Sequence, residues 1–176
     1  MYSFDSRTIA ATPWVNGAGT RQELAASALE GIPWRFSSAQ IDRDCPFSTY
    51  PGLARQHVIV DGLGTCLTGA GIDLDVIPLS PVAFDGDTAL ECRLKDGPCT
   101  AMNVVYDPAH IRAELSVLYA GAHDVVAREL VVFCLFGAAS VNGAGITMGQ
   151  GAVVEGRATV TVNPAACVLC AMMDPI

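Results

Sequence analysis

Apolar and polar residues alternate one for one along several short stretches of this chain, whereas no segment of about a dozen residues or more carries a convincing helical stripe. Successive side chains on a strand point to opposite faces, so this period restricts most of the chain to strands with one face turned to a core. Trp34/Phe36/Ser38/Gln40 alternate with Arg35/Ser37/Ala39/Ile41, and Ile72/Leu74/Val76 with Asp73/Asp75. Leu90/Cys92/Leu94 alternate with Glu91/Arg93/Lys95, and Ala158/Val160/Val162 with Thr159/Thr161/Asn163. Cys99 to Tyr106 reads as a further strand. Turn signals separate these runs: Pro51-Gly52, Asp61-Gly62, Asp85-Gly86, Asp96-Gly97-Pro98 and Asn142-Gly143. Short strands punctuated in this way predict an all-β sandwich or barrel. Arg21 to Glu30 is rich in Ala and Glu and reads equally as helix or strand. Pro108 to Ala113 is predicted to form one helical turn, with Pro108 near its start.

The chain has 176 residues, 51% of them apolar, enough to bury one full core, so a single domain over residues 1–176 is expected. Eighteen acids against ten bases give a net charge of −8, which argues against nucleic acid and membrane surfaces as partners. The longest nearly apolar run, Leu130 to Val141, is interrupted by Gly137 and Ser140 and is far shorter than the roughly 20 residues of a membrane span. The opening residues Met1 to Arg7 lack the basic start and apolar stretch of a secretory signal, so a cytoplasmic location is expected. Seven cysteines without framework spacing fit reduced core thiols, including the pair Cys167 and Cys170. Charge is unevenly placed. Five arginines (Arg7, Arg21, Arg35, Arg43, Arg55) fall in the neutral first third, and the rest of the chain carries the whole negative balance. A local anion site is compatible with that clustering.

A faint internal repeat points to architecture. Gly69-Ala70-Gly71-Ile72 recurs as Gly143-Ala144-Gly145-Ile146, 74 residues on, and Val82 to Asp87 is echoed by Ala152 to Arg157. Two stacked antiparallel β-rolls would produce this, with approximate halves 1–107 and 108–176.

Several residues invite a chemical reading. Metal-binding rolls of the cupin type use two His one residue apart, a Glu soon after and a later His; His57, His110 and His123 are isolated, so neither metal nor cofactor is expected. Asn16-Gly17-Ala18-Gly19-Thr20 lacks the Lys-Ser/Thr ending of a phosphate loop and reads as a tight turn whose amides can line a pocket. No Gly-x-Ser-x-Gly elbow occurs. Alternation sets Arg35 and Ser37 side by side with Ala39. If that face lines a roll, the Arg35 guanidinium needs a carboxylate, from the protein or from a ligand. Arg55 is a second candidate, its alternative being a surface ion pair. Asn103 shares a face with Cys99, Ala101 and Val105, where an amide requires a hydrogen-bond partner.

Taken in order, Trp14 to Thr20, Trp34 to Ala39, Pro46 to Gly52 with Arg55, Phe84-Asp85-Gly86-Asp87 and Asn103 resemble the HutD/Ves family across nearly the whole chain. The family has a third consecutive glycine where this chain has Ala18, and Asp-Phe-Asn where it has Ala101-Met102-Asn103. The resemblance implies a cupin-like double-stranded β-helix with two stacked halves, a bicupin without the usual metal ligands. It also implies non-enzymatic binding or sensing of a small carboxylate, of the urocanate or formyl/formimino-glutamate class, in histidine utilisation or stress response. Carried over by position, the ligand-binding residues are Asn16, Thr20, Arg35, Ser37, Arg55 and Asn103, with Trp14, Phe47 and Gly52 shaping the pocket. Arg35 is the expected anchor. Two other readings stand beside this one: a metal-free isomerase or hydrolase using His57 or Glu23 as general base, and a pure interaction module. A homodimer is the protein partner considered.

Overall fold

The alternating stretches form strands that pair antiparallel, because each has one face that must leave water. A computed structural model describes residues 1–27 and 33–176, and among these there is no α-helix. In chain order the strands are β1 (Tyr2–Asp5), β2 (Thr12–Pro13), β3 (Gly19–Ala26), β4 (Trp34–Ile41), β5 (Cys45–Pro46), β6 (Ala54–Asp61), β7 (Thr65–Gly69), β8 (Ile72–Val76) and β9 (Val82–Asp85). They continue as β10 (Glu91–Leu94), β11 (Cys99–Tyr106), β12 (Ile111–Leu118), β13 (Gly121–Phe136), β14 (Ala138–Val141), β15 (Ala144–Thr147), β16 (Gln150–Val162) and β17 (Cys167–Pro175). A single 3-10 turn, Ser6–Thr8, follows β1 and is capped by the Asp5 side chain.

Two sheets build the first roll. The six-stranded sheet β2-β3-β4-β11-β6-β9 faces the four-stranded sheet β5-β10-β7-β8, and Ile41, Ile59, Leu67, Val76, Leu90 and Ala101 fill the space between them. The second roll is one sheet, β12-β17-β13-β16-β14-β15, whose long strands β13 and β16 serve an interior of Leu130, Val132, Val160, Val168 and Cys170. A third apolar layer joins the rolls: Trp34, Phe36, Val58 and Met102 from the first meet Leu115, Phe133, Leu169 and Met173 from the second. Strand orders β4-β11-β6-β9 and β12-β17-β13-β16 match, so the molecule is two copies of a cupin-type roll stacked on each other. β1 is the exception, crossing over to pair with β16. A buried carboxylate also spans the seam, Glu129 of β13 accepting from Trp34 Nε1 at 2.6 Å and Ser27 Oγ at 2.8 Å.

The structure settles one open point of the sequence reading and alters two others. Arg21 to Ala26 belongs to strand β3, which settles the choice for that part of the segment; Ala28, Leu29 and Glu30 lie outside the described residues. The helical turn expected over Pro108 to Ala113 is cut to a single hydrogen-bonded turn over 107–111, with no helix beyond it. The Asp107 carbonyl accepts from His110 and Ile111, its carboxylate holds the Ala109 amide, and β12 starts at Ile111, because Ile111, Ala113 and Leu115 must alternate into the seam. The repeat is real in topology but shifted in the string. Ala70-Gly71 and Asn142-Gly143 hold the matching left-handed turn positions (φ 47 and 80, 51 and 81), so equivalent residues lie 72 apart, not 74.

All seven cysteines are free thiols, six of them buried, and burial pushes Cys92 and Cys170 up to about 12. No helix among the described residues is long and apolar enough to cross a membrane.

Candidate functional site

The register of the larger first-roll sheet lays polar side chains in two adjacent rows, since residues opposed across antiparallel strands share a face. One row runs Arg35, Val105, Arg55, Phe84 across β4, β11, β6 and β9. The next runs Glu23, Ser37, Asn103, His57, Val82 from β3 to β9. At the centre of these rows Arg55 is only 5% exposed, His57 is fully buried, and Asn103 and Ser37 are buried beside them.

Arg55 and His57 meet on one acceptor. Asn103 Oδ1 receives Arg55 Nη2 at 2.8 Å and lies 2.8 Å from His57 Nδ1. The amide oxygen must face the guanidinium, because the flipped amide would set donor against donor, so the proton of neutral His57 sits on Nδ1. Arg55 Nη1 also donates to the Ser48 carbonyl at 3.1 Å. Among the described residues two atoms of the cluster have no partner: Arg55 Nε, a donor, and His57 Nε2, a lone pair. No carboxylate pairs with this guanidinium among the described residues, where ion pairs join only Arg7 with Asp5, Lys95 with Asp75, and His110 with Asp107.

Aromatic rings stand where an acid would be. The guanidinium carbon lies 4.3 Å from the Phe47 ring centre and 5.2 Å from those of Tyr50 and Phe84. Burial lowers Arg55 to about 10, partly opposed by Tyr50 and Cys92, so it remains charged at neutral pH. His57 is pushed down to about 4, first by burial and then by the neighbouring Arg55, against the pull of the Asn103 hydrogen bond. At neutral pH the buried Arg55–His57–Asn103 cluster therefore holds one positive charge.

The Phe84-Asp85-Gly86-Asp87 motif explains how the cage is held. Gly86 donates to the Leu53 carbonyl and accepts from the Tyr50 amide, both at 2.7 Å, while the Asp87 carboxylate takes the Gly52 amide. A Cβ on Gly86 would lie 2.6 Å from the Leu53 oxygen and 2.7 Å from the Tyr50 oxygen, so only glycine lets the turn close onto the loop that carries Phe47 and Tyr50.

These groups enclose a chamber of about 60 Å³, lined by Ser37, Phe47, Tyr50, Arg55, His57 and Asn103 among others. Trp14, Arg21 and Ser48 line both this chamber and an outer vestibule of about 470 Å³. The chamber has room for a carboxylate-sized group, and a larger ligand would extend past Trp14 into the vestibule.

The residues singled out in the sequence separate accordingly. Ser37, Arg55, Asn103, Trp14 and Phe47 line the chamber. Asn16 reaches only the vestibule, where its Oδ1 holds the Ala18 amide. Thr20 points away from the face used by Arg21, and Gly52, at φ +74, shapes the loop from outside. Arg35 is the main correction. It shares a row with Arg55, yet it is the second residue of β4, is exposed, and lines neither cavity, so the buried cation is Arg55. Glu23 is exposed at the end of its row, whereas His57 is at the centre. Tyr50, Ser48 and Arg21 were not singled out as site residues; the Pro46 to Gly52 motif contained the first two, but only tertiary folding brings that loop over β6.

The comparisons with known proteins agree with this architecture. The HutD family model matches residues 6–170. A Pseudomonas putida relative, the uncharacterized 21.2 kDa protein in the hutC 3' region, is 32% identical over 124 residues; the match spans 65% of each chain, just under two thirds of that relative's length. Protein Ves of Citrobacter koseri is 28% identical over 156 residues, 86% of this chain and 82% of Ves. HutD from Pseudomonas fluorescens SBW25 superposes with a TM-score of 0.87 at 25% identity, covering 99% of this chain and 98% of that one. With the family model matched over nearly the whole chain and both rolls reproduced in a solved HutD structure, this chain belongs to the HutD family.

Proposed function

We propose that this protein binds a small carboxylate, and that Arg55 rather than Arg35 receives it. One observation carries the reading: a buried guanidinium with no internal carboxylate and an unpartnered Nε lines a chamber sized for a carboxylate. A buried cation is strongly disfavoured unless paired, and a bound carboxylate would supply both the charge and the missing acceptor. Asn103 and Ser37 fix orientation from the neighbouring strands, Phe47 and Tyr50 exclude water, and the body of the ligand rests in the vestibule by Trp14 and Arg21. The family, and a relative named for its place beside hutC, support a metabolite of histidine utilisation as the ligand, urocanate or a formyl- or formimino-glutamate, bound or sensed in the cytoplasm by one bicupin unit with halves at 1–107 and 108–176.

Calorimetry with urocanate and N-formylglutamate tests this reading. Arg55→Ala is expected to weaken binding at least about tenfold, the worth of a lost charge-assisted hydrogen bond. Equal affinity in Arg55→Ala and the unaltered protein would overturn the assignment. Catalysis in the same chamber is the second reading, favoured by the free lone pair on His57 Nε2. It predicts turnover of one of these compounds that is lost in His57→Gln. Binding is preferred because a histidine held near 4 accepts a proton weakly at neutral pH, and none of its contacts is a nucleophile.

A further inference from the structure

Two residues that line the chamber each carry a buried unsatisfied atom, and the two atoms are opposite in character. Arg55 Nε offers a proton, while neutral His57, with its own proton committed to Asn103, offers a lone pair at Nε2. An ionised carboxylate satisfies the first and repels the second, since it has only acceptors. The mismatch disappears if one proton comes in with the ligand. We infer that the site binds its carboxylate together with a proton from solvent, held between the ligand oxygen and His57 Nε2. This deepens the carboxylate reading above and rests on it.

The surroundings of His57 make this coupling one-to-one. On its own strand, Arg55 is the neighbouring charge; β11 contributes the neutral Asn103, and β4 contributes Ser37. Phe47 and Phe84 meet the imidazole edge-on, at 5.4 and 6.3 Å between ring centres. Among the described residues the remaining titratable groups that line the chamber are Arg21 and Tyr50, and no carboxylate lines it. Cys92, on β10, is a buried neutral thiol, and Glu23 is exposed at the far end of the row. The empty site thus disfavours an imidazolium for want of an anion, and the ligand is the anion that changes this. Arg55 balances the carboxylate and the added proton leaves the filled chamber with the same positive charge as the empty one.

Formate, ionised throughout the range used, is the probe. Calorimetry of formate binding to the intact protein at pH 6, in two buffers of different ionisation heat, counts protons taken up; imidazole ¹⁵N spectra report the state of His57 directly. The expected result is uptake of close to one proton per formate, conversion of His57 from the Nδ1-protonated neutral form to imidazolium, and affinity that weakens about tenfold from pH 5 to pH 6. In His57→Gln, formate should still bind through Arg55 with affinity constant within twofold over that range. Formate binding to the unaltered protein with no proton uptake and an unchanged His57 spectrum would overturn this inference and leave the anion site standing. Absence of formate binding at every pH would overturn both. The measurements on the unaltered protein decide the matter even if His57→Gln does not fold.

Discussion

Acidifying the unliganded protein from neutral pH toward pH 4 loads His57 in the unfolded chain well before the folded chain accepts the same proton. An unfolded histidine titrates at about 6.5, whereas burial and Arg55 hold the folded one at about 4. Between those values the unfolded state binds more protons, so stability falls as pH falls, and the effect levels off above about pH 7. At roughly 1.4 kcal/mol per pH unit the window amounts to about 3 to 4 kcal/mol, a large part of a typical folding free energy. Urea unfolding of the unaltered protein and of His57→Gln, followed from pH 7 to pH 4.5, isolates this contribution. Glutamine can still donate to Asn103 Oδ1, and carboxylates elsewhere, such as Asp107 with its lowered titration, cancel in the difference. The variant is expected to be the weaker protein at pH 7 and to recover roughly 2 to 3 kcal/mol relative to the unaltered chain by pH 4.5. Parallel stability curves for the two proteins would refute the placement of a neutral histidine against Arg55.

Asn103→Asp sets a carboxylate 2.8 Å from Arg55 Nη2 and should act as a built-in substitute for the ligand. A raised melting temperature with formate affinity reduced at least tenfold is the expected pair of results; unchanged affinity would contradict it. Gly86→Ala forces a Cβ against two carbonyl oxygens, and a loss of about 2 kcal/mol or more in denaturant unfolding is expected, together with a changed Tyr50 environment by NMR. Arg35→Ala, at an exposed position, should move stability by no more than about 0.5 kcal/mol and formate affinity by less than twofold.

The β architecture was readable where a strand keeps one wet face. Ile72, Leu74 and Val76 alternate cleanly with Asp73 and Asp75 because β8 lies at a sheet edge. β11 and β17 are different: each separates a roll interior from the seam, is buried on both faces, and reads as an apolar run. Alternation also placed Arg35 and Ser37 on one face of β4, as the register has them. It carries no information on where along a roll each row is covered, and that decided between Arg35 and Arg55. Phe47, Tyr50 and Phe84, which roof Arg55, come from a loop and a strand whose position over β6 depends on the Gly86 contact. The sequence offers His57 only as a candidate base, because its contact with Asn103, 46 positions away, is made by the fold.

β1 pairs Tyr2 with Val153 and Asp5 with Gln150, so these residues leave the ribosome well before their partners are made. At about 5–20 residues per second, synthesis leaves them waiting for on the order of ten seconds or more. Meanwhile the first roll can close without them, since its two sheets contain only strands β2 to β11. Phe4 then stacks on Phe133 at 6.0 Å and lies over Gly151, where a side chain would collide with its ring. Docking of this segment is therefore a late event, and a nascent chain stalled before residue 150 would expose Phe4 to chaperones.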